Sequence, residues 1–115
     1  MKSYEETAVN FVQALADARW EDARAMLDAE LQNQLPVQKL VSTFEGMYKG
    51  YAEGPVTSVQ FDPEFSMENW PAKKPEDVGW VYVSVQGNGF VEAVTVVVTN
   101  SSGHLAIRDI EWGRP

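Results

Sequence analysis

Glu92, Asp109 and Glu111 are the carboxylates best placed to act together, because they fall on adjacent segments whose alternation of apolar and polar residues reads as neighbouring strands. Carboxylates brought to one face can exchange a proton or hold a hard cation. The pattern around them argues for a different use. Leu105 and Ile107 share one parity, Ile110 and Trp112 the other, so the alternation slips near Arg108-Asp109 and a bulge or sharp bend is needed there. With Leu105 and Ile107 inward, Asp109 and Glu111 turn outward, and the penalty for burying unpaired charge assigns them to solvent or to a partner. His104 is the single histidine and follows Ser101-Ser102-Gly103, a turn that belongs on the surface. Without a cysteine or a second histidine, a thiol nucleophile and a thiolate or histidine-rich metal site are excluded. No catalytic residue, metal or cofactor is nominated.

A second group lies in residues 62–78, which hold three prolines and no sustained period and so form a long connection. Phe65, Met67 and Trp70 need a surface to cover, which argues against full disorder. Trp70 is ringed by Glu64, Glu68, Glu76 and Asp77. A tryptophan in such a setting serves either as a recognition hot spot or as the cap of a cavity mouth, and both readings stand.

The elements that must position these residues separate along the chain. Ser3-x-x-Glu6 matches a capping box, followed by Ala8, Phe11, Val12, Leu15 and Ala16 at helical spacing. A second helix runs from about Trp20 to Leu27, with Trp20, Ala23 and Leu27 inward. Leu31 and Leu35 prolong the apolar line, and Asp28 stands where aspartate commonly caps a helix. Pro36 suits the first position of a third helix carrying Val37, Leu40, Val41, Phe44, Met47 and Tyr48, which Gly50 stops. After residue 50 the period changes. Val56 to Asp62 reads as a strand, and Gly79 to Gln86, Phe90 to Thr99 and His104 to Trp112 read as an antiparallel meander joined at Gly87-Asn88-Gly89 and Asn100-Ser101-Ser102-Gly103. Residues 91–98 are apolar on both parities, as for a central strand covered on both faces. The predicted class is α+β, with three helices on a mainly antiparallel sheet of about four strands.

The chain has 115 residues, enough for one core, and they predict a single domain over 1–115. Nine basic against 17 acidic side chains give a net charge of −8, which repels phosphate backbones and anionic headgroups and speaks against nucleic acid and membrane as partners. Residues 1–50 carry eight acids and five bases, and residues 51–115 carry nine and four, so the negative field leans toward the strand half. Such a field either keeps the protein soluble or steers a basic partner. Met1-Lys2-Ser3-Tyr4-Glu5-Glu6 runs directly into an amphipathic helix with no signal-like apolar segment, which predicts a cytoplasmic location.

Phe11-Val12-Gln13-Ala14-Leu15-Ala16-Asp17-Ala18-Arg19-Trp20-Glu21-Asp22-Ala23 resembles the first-helix segment of the nuclear transport factor 2-like, or ketosteroid isomerase-like, superfamily, with its turn into helix two. That resemblance extends over nearly the whole chain and implies a cystatin-like cone, a curved sheet wrapped around helices. Within the superfamily, Trp80-Val81-Tyr82-Val83-Ser84-Val85 and Ile107-Arg108-Asp109-Ile110-Glu111-Trp112-Gly113-Arg114-Pro115 resemble bacterial immunity proteins, which neutralise a cognate toxin by binding it. The resemblance implies stoichiometric binding of a toxin, with self-pairing through the open sheet face as a further option; the acidic charge then predicts a basic surface on that toxin, with contact residues expected among Glu64, Glu68, Trp70, Glu76, Asp77, Glu92, Asp109 and Glu111. The alternative is a small-molecule binder or an isomerase- or hydrolase-type enzyme with a cone pocket lined by Trp20, Tyr48, Tyr82 and Trp112.

Overall fold

The computed structural model describes residues 1–114, so Pro115, the last residue of the closing stretch singled out above, lies outside the described residues. Four helices, α1 (Ser3–Ala16), α2 (Trp20–Ala25), α3 (Ala29–Gln34) and α4 (Val37–Gly46), precede four strands, β1 (Val56–Phe61), β2 (Asp77–Gly87), β3 (Phe90–Ser101) and β4 (His104–Trp112). The strands form one antiparallel sheet in the order β1-β2-β3-β4. The class is α+β, with one helix more than the apolar pattern predicts.

The extra helix comes from Asp28. Its side chain accepts the N–H of Leu31 at 2.9 Å and starts α3 instead of ending α2. At the far end of α3, Arg24 donates from Nε to the Leu35 carbonyl at 3.0 Å and from Nη2 to the Gln32 carbonyl at 2.8 Å, satisfying groups that a six-residue helix leaves open. Two other boundaries also differ from the sequence expectation. The N-cap of α1 is Lys2, whose N–H donates to Glu5 Oε1 at 2.8 Å; a lysine side chain has no acceptor to return the bond, so only the carboxylate half of the box expected of Ser3 and Glu6 forms, one residue earlier. Pro36 is the N-cap of α4, which ends at Gly46 and gives way to tight turns before Gly50.

One core joins the two halves. Phe11, Val12 and Leu15 of α1 and Leu40 and Phe44 of α4 meet Val81, Val83, Val85, Val94, Val96 and Val98 from the helix-facing side of the sheet. Truncating a ring such as Phe44 to alanine in a core of this kind costs about 3–5 kcal/mol. Gly79 lets α1 approach closely, since a Cβ there would stand 2.3 Å from Cε2 of Tyr4.

The β3–β4 pairing contains the irregularity that the parity slip demands: Val97 faces Asp109, Val98 faces Ile107, and Arg108 falls between them. Ile107, Ile110 and Trp112 therefore share the side of Val98, Val96 and Val94, while Asp109 and Glu111 lie beside Val97 and Thr95. β3 is buried on both sides from Ala93 to Thr99. The β3–β4 turn is Ser102-Gly103, both with positive φ, 53° and 89°, which matches the twist of the flanking strands. Residues 26–28 border β4, with the Ile107 N–H donating to the Met26 carbonyl and the Asp28 N–H to the Ile107 carbonyl at 2.9 and 2.7 Å. No helix among the described residues is long and apolar enough to cross a membrane.

Candidate functional site

Residues 62–76 are held to the body at several points rather than left free. The Asp62 N–H donates to the Tyr82 carbonyl, and Met67 and Trp80 exchange backbone hydrogen bonds at 2.9 and 2.8 Å along β2. Ser66 Oγ accepts the Tyr82 N–H at 3.0 Å and donates to the Asp62 carbonyl at 2.7 Å. The Phe65 ring leans on Tyr82, with centroids 5.2 Å apart. Glu68 pairs with Lys2 and accepts the Tyr4 hydroxyl, so the expected contact residue is tied to the start of α1. Trp70 is half-buried under the Lys73 ammonium, 5.7 Å from its ring centre. Glu64 and Glu76 remain exposed.

Asp77 corrects the sequence expectation. Its side chain is 0% exposed and forms a two-pronged ion pair with Arg108, which donates from Nε to Oδ1 at 2.7 Å and from Nη2 to Oδ2 at 2.6 Å. The Lys74 N–H adds a third hydrogen bond at 2.8 Å. Burial alone would push this carboxyl up, but the hydrogen bonds from Arg108 and Lys74 and the guanidinium charge hold it below the usual carboxylate range. Asp77 cannot meet a partner directly, because β2 and the turn before it close over it. Its use is to seat Arg108, whose Nη2 also reaches the Ala72 carbonyl at 3.5 Å.

Over this pair lies an open cleft of about 580 Å³, walled by Asp28 and Glu30 of α3, Lys74 and Glu76 of the loop, the residues 99–102 turn and Asp109. Among the described residues, Asp28, Glu30, Glu76 and Asp109 supply four carboxylates, and Lys74 is the one cation of the wall besides the internally paired Arg108. The Asn100 N–H donates to the Glu76 carbonyl at 2.9 Å and ties two of these walls together. Such an arrangement suits a cationic, extended ligand. Among the described residues, no group of three or more histidine, cysteine or carboxylate side chains has metal-holding geometry.

The expected pocket residues divide. Tyr82 and Trp112 do share an open cleft, of about 780 Å³, together with Met47, Phe65, Glu92 and Arg114. Trp20 and Tyr48 do not join them: Trp20 packs edge-on against Phe44 at 6.1 Å, and Tyr48 stacks on Phe90 at 4.7 Å. Both complete the core, as rings at periodic helical positions commonly do. Glu92 does not sit with Asp109 and Glu111. It pairs in register with Val85 on the helix-facing side, whereas the other two lie beside Val97 and Thr95. The three carboxylates that could have acted in concert are therefore split by the sheet. His104 is exposed at the start of β4.

Comparison with family models, with curated proteins and with solved structures returns no match.

Sequence reasoning anticipated the bulge but missed Arg108 and α3. An arginine directly after the apolar run Leu105-Ala106-Ile107 is the available signal: a long cation at a bulge beside a buried strand needs an internal anion.

Proposed function

We propose that this protein is a non-catalytic binder of a basic protein partner, an immunity protein that neutralises a bacterial toxin in the cytoplasm by stoichiometric contact. The observation that carries the proposal is the acidic cleft, whose four carboxylates are mounted on α3, β4 and a latched loop. A rigid mount keeps the negative field in one place, and such a field raises association rates and selects among partners more than it adds affinity. The interior supports binding over turnover: among the described residues, Asp77 is the charged side chain fully buried, and Arg108 already neutralises it. General acid or base work in a dry pocket needs a titratable group free to exchange its proton.

The order of helices followed by a four-stranded antiparallel sheet, together with the bulge in β4, supports the nuclear transport factor 2-like cone as the finer description of the fold. The cleft containing Tyr82, Trp112 and Glu92 supports small-molecule binding as a second reading, though its carboxylate is half-exposed and hydrogen-bonded rather than enclosed.

The test is co-expression with the product of the adjacent gene. The proposal expects protection from growth arrest, an equimolar complex on co-purification, and loss of protection when D28N, E30Q and D109N are combined. Failure to protect against any adjacent-locus product, with turnover of a small substrate instead, would overturn it.

A further inference from the structure

The two edges of the sheet are finished differently. Along β4, residues 26–28 bond to both backbone groups of Ile107, and the Asp109 carboxylate accepts the N–H of Ile110 at 2.9 Å. Arg108, Asp109 and Glu111 add charge there, a common means of keeping an edge from pairing with another strand. β1 is the opposite edge, and Val56–Phe61 carries no charged residue and no proline. Its one irregularity lies between Val56 and Ser58, which leaves Ser58 to Phe61 in unbroken register.

Register fixes which backbone groups of β1 are free. The Asp62 N–H donates to the Tyr82 carbonyl at 3.1 Å, and antiparallel pairs alternate between bonded and unbonded, so Gln60 opposite Ser84 and Ser58 opposite Gln86 bond inward. Val59 and Phe61 therefore turn their N–H and carbonyl groups away from β2. Among the described residues, neither enters a backbone hydrogen bond outside the sheet. Their side chains lie on the helix side with Val85 and Val83 and are half-buried, whereas Gln60 is exposed on the other face. Backbone groups left open along an uncharged edge are a template for another strand.

We propose that β1 pairs with β1 of a second copy of this chain, antiparallel about a two-fold axis through Gln60. Val59 of each copy then faces Phe61 of the other, and the two pairs exchange their free groups in roughly four hydrogen bonds. Gln60 meets its twin, and a primary amide supplies donor and acceptor alike. Charge selects this occupant over a basic strand, because β1 gives a cation nothing to pair with. Each Asp62 falls opposite Ser58 of the other copy, so the two carboxylates stand about 14 Å apart along the strands, beyond a screening length of about 8 Å. The two sheets become one, with an acidic cleft at each far end, since β4 and α3 lie at the opposite edge. The pairing does not depend on the binding function proposed above.

The test is sedimentation equilibrium of the full chain at concentrations up to about 1 mM, the range of a weak interface. The weight-average mass should climb toward that of two chains. Added salt should favour the pair, because each copy carries a net charge of −8, whereas salt should weaken association with a basic partner. Q60K and Q60E each set like charges opposite one another at the axis and should weaken association about threefold, with the urea midpoint unchanged because Gln60 is exposed. An equal mixture of the two variants should associate more tightly than either alone. V59P removes the free N–H while leaving the ladder to β2 in place, and should abolish pairing. A wild type monomeric throughout, an association indifferent to Q60K and V59P, or a mixture no tighter than its components would overturn the proposal. The protection assay reads Asp28, Glu30 and Asp109 at the far edge, so either can fail alone.

Discussion

Two ion pairs hold the loop between β1 and β2, and they differ in almost everything but their partners' charges. Asp77–Arg108 is bidentate, with side chains 0% and 17% exposed, and it forms the floor of the acidic cleft. Lys2–Glu68 joins the same loop to α1 with side chains 62% and 57% exposed. A buried carboxylate without its cation is expensive, while an exposed pair competes with water, side-chain entropy and salt. The lesson is that the loop has one structural latch and one tether. Of the two, the latch is the one that ties the loop to β4.

The largest effect should come from separating the buried pair. R108A strands the Asp77 carboxylate and should destabilise the fold by about 3–5 kcal/mol in urea unfolding. The double variant D77L/R108M should recover most of that loss, because removing both charges also removes the desolvation penalty; failure to recover would mean that the pair itself supplies the net stability. Acid should act next. Since the folded Asp77 carboxyl titrates below its ordinary value, its contribution is complete above the unfolded value of about 4 and is lost as pH falls through the folded one. Stability of the wild type should decline in that acidic window, and the decline should be shallower in D77N. An equal decline would assign acid sensitivity to other carboxylates.

Smaller still is the expected effect of combining D28N, E30Q and D109N on stability, because asparagine caps α3 as well as aspartate does and the other two side chains face solvent. The unfolding midpoint should stay where it is while partner binding weakens, and a large drop in the midpoint would make the cleft's acids structural instead. K2A should do least, leaving the midpoint unmoved at high salt, where an exposed pair is screened. A strong, salt-independent loss would erase the contrast between latch and tether.

Much of the frame was legible because it rests on short-range periodicity. The meander, its turns and the irregularity at Arg108-Asp109 follow from alternation and turn chemistry, and the double burial of β3 follows from its continuous apolar run. α3 was not legible as a separate helix, since Leu27, Leu31 and Leu35 keep one helical spacing across the break at Asp28 and only the capping geometry reveals it. The candidate site was legible in composition more than in arrangement. Acid-rich segments around Trp70 and along β4 were visible, but whether Asp77 faces outward depends on Arg108, 31 residues away, and no local pattern encodes that pairing. The same holds for Glu92, whose separation from Asp109 and Glu111 is fixed by strand register rather than by its neighbours in sequence.

The central claim is that the cleft bounded by Asp28, Glu30, Glu76 and Asp109 attracts and holds a basic protein. Its most direct measurement is the association rate with the adjacent-locus product across a range of salt, for the wild type and for the combined D28N, E30Q and D109N variant. The wild-type rate should fall about tenfold or more from low to high salt, and the variant should be slow and nearly salt-independent. Identical rates and identical salt slopes for the two proteins would contradict the account.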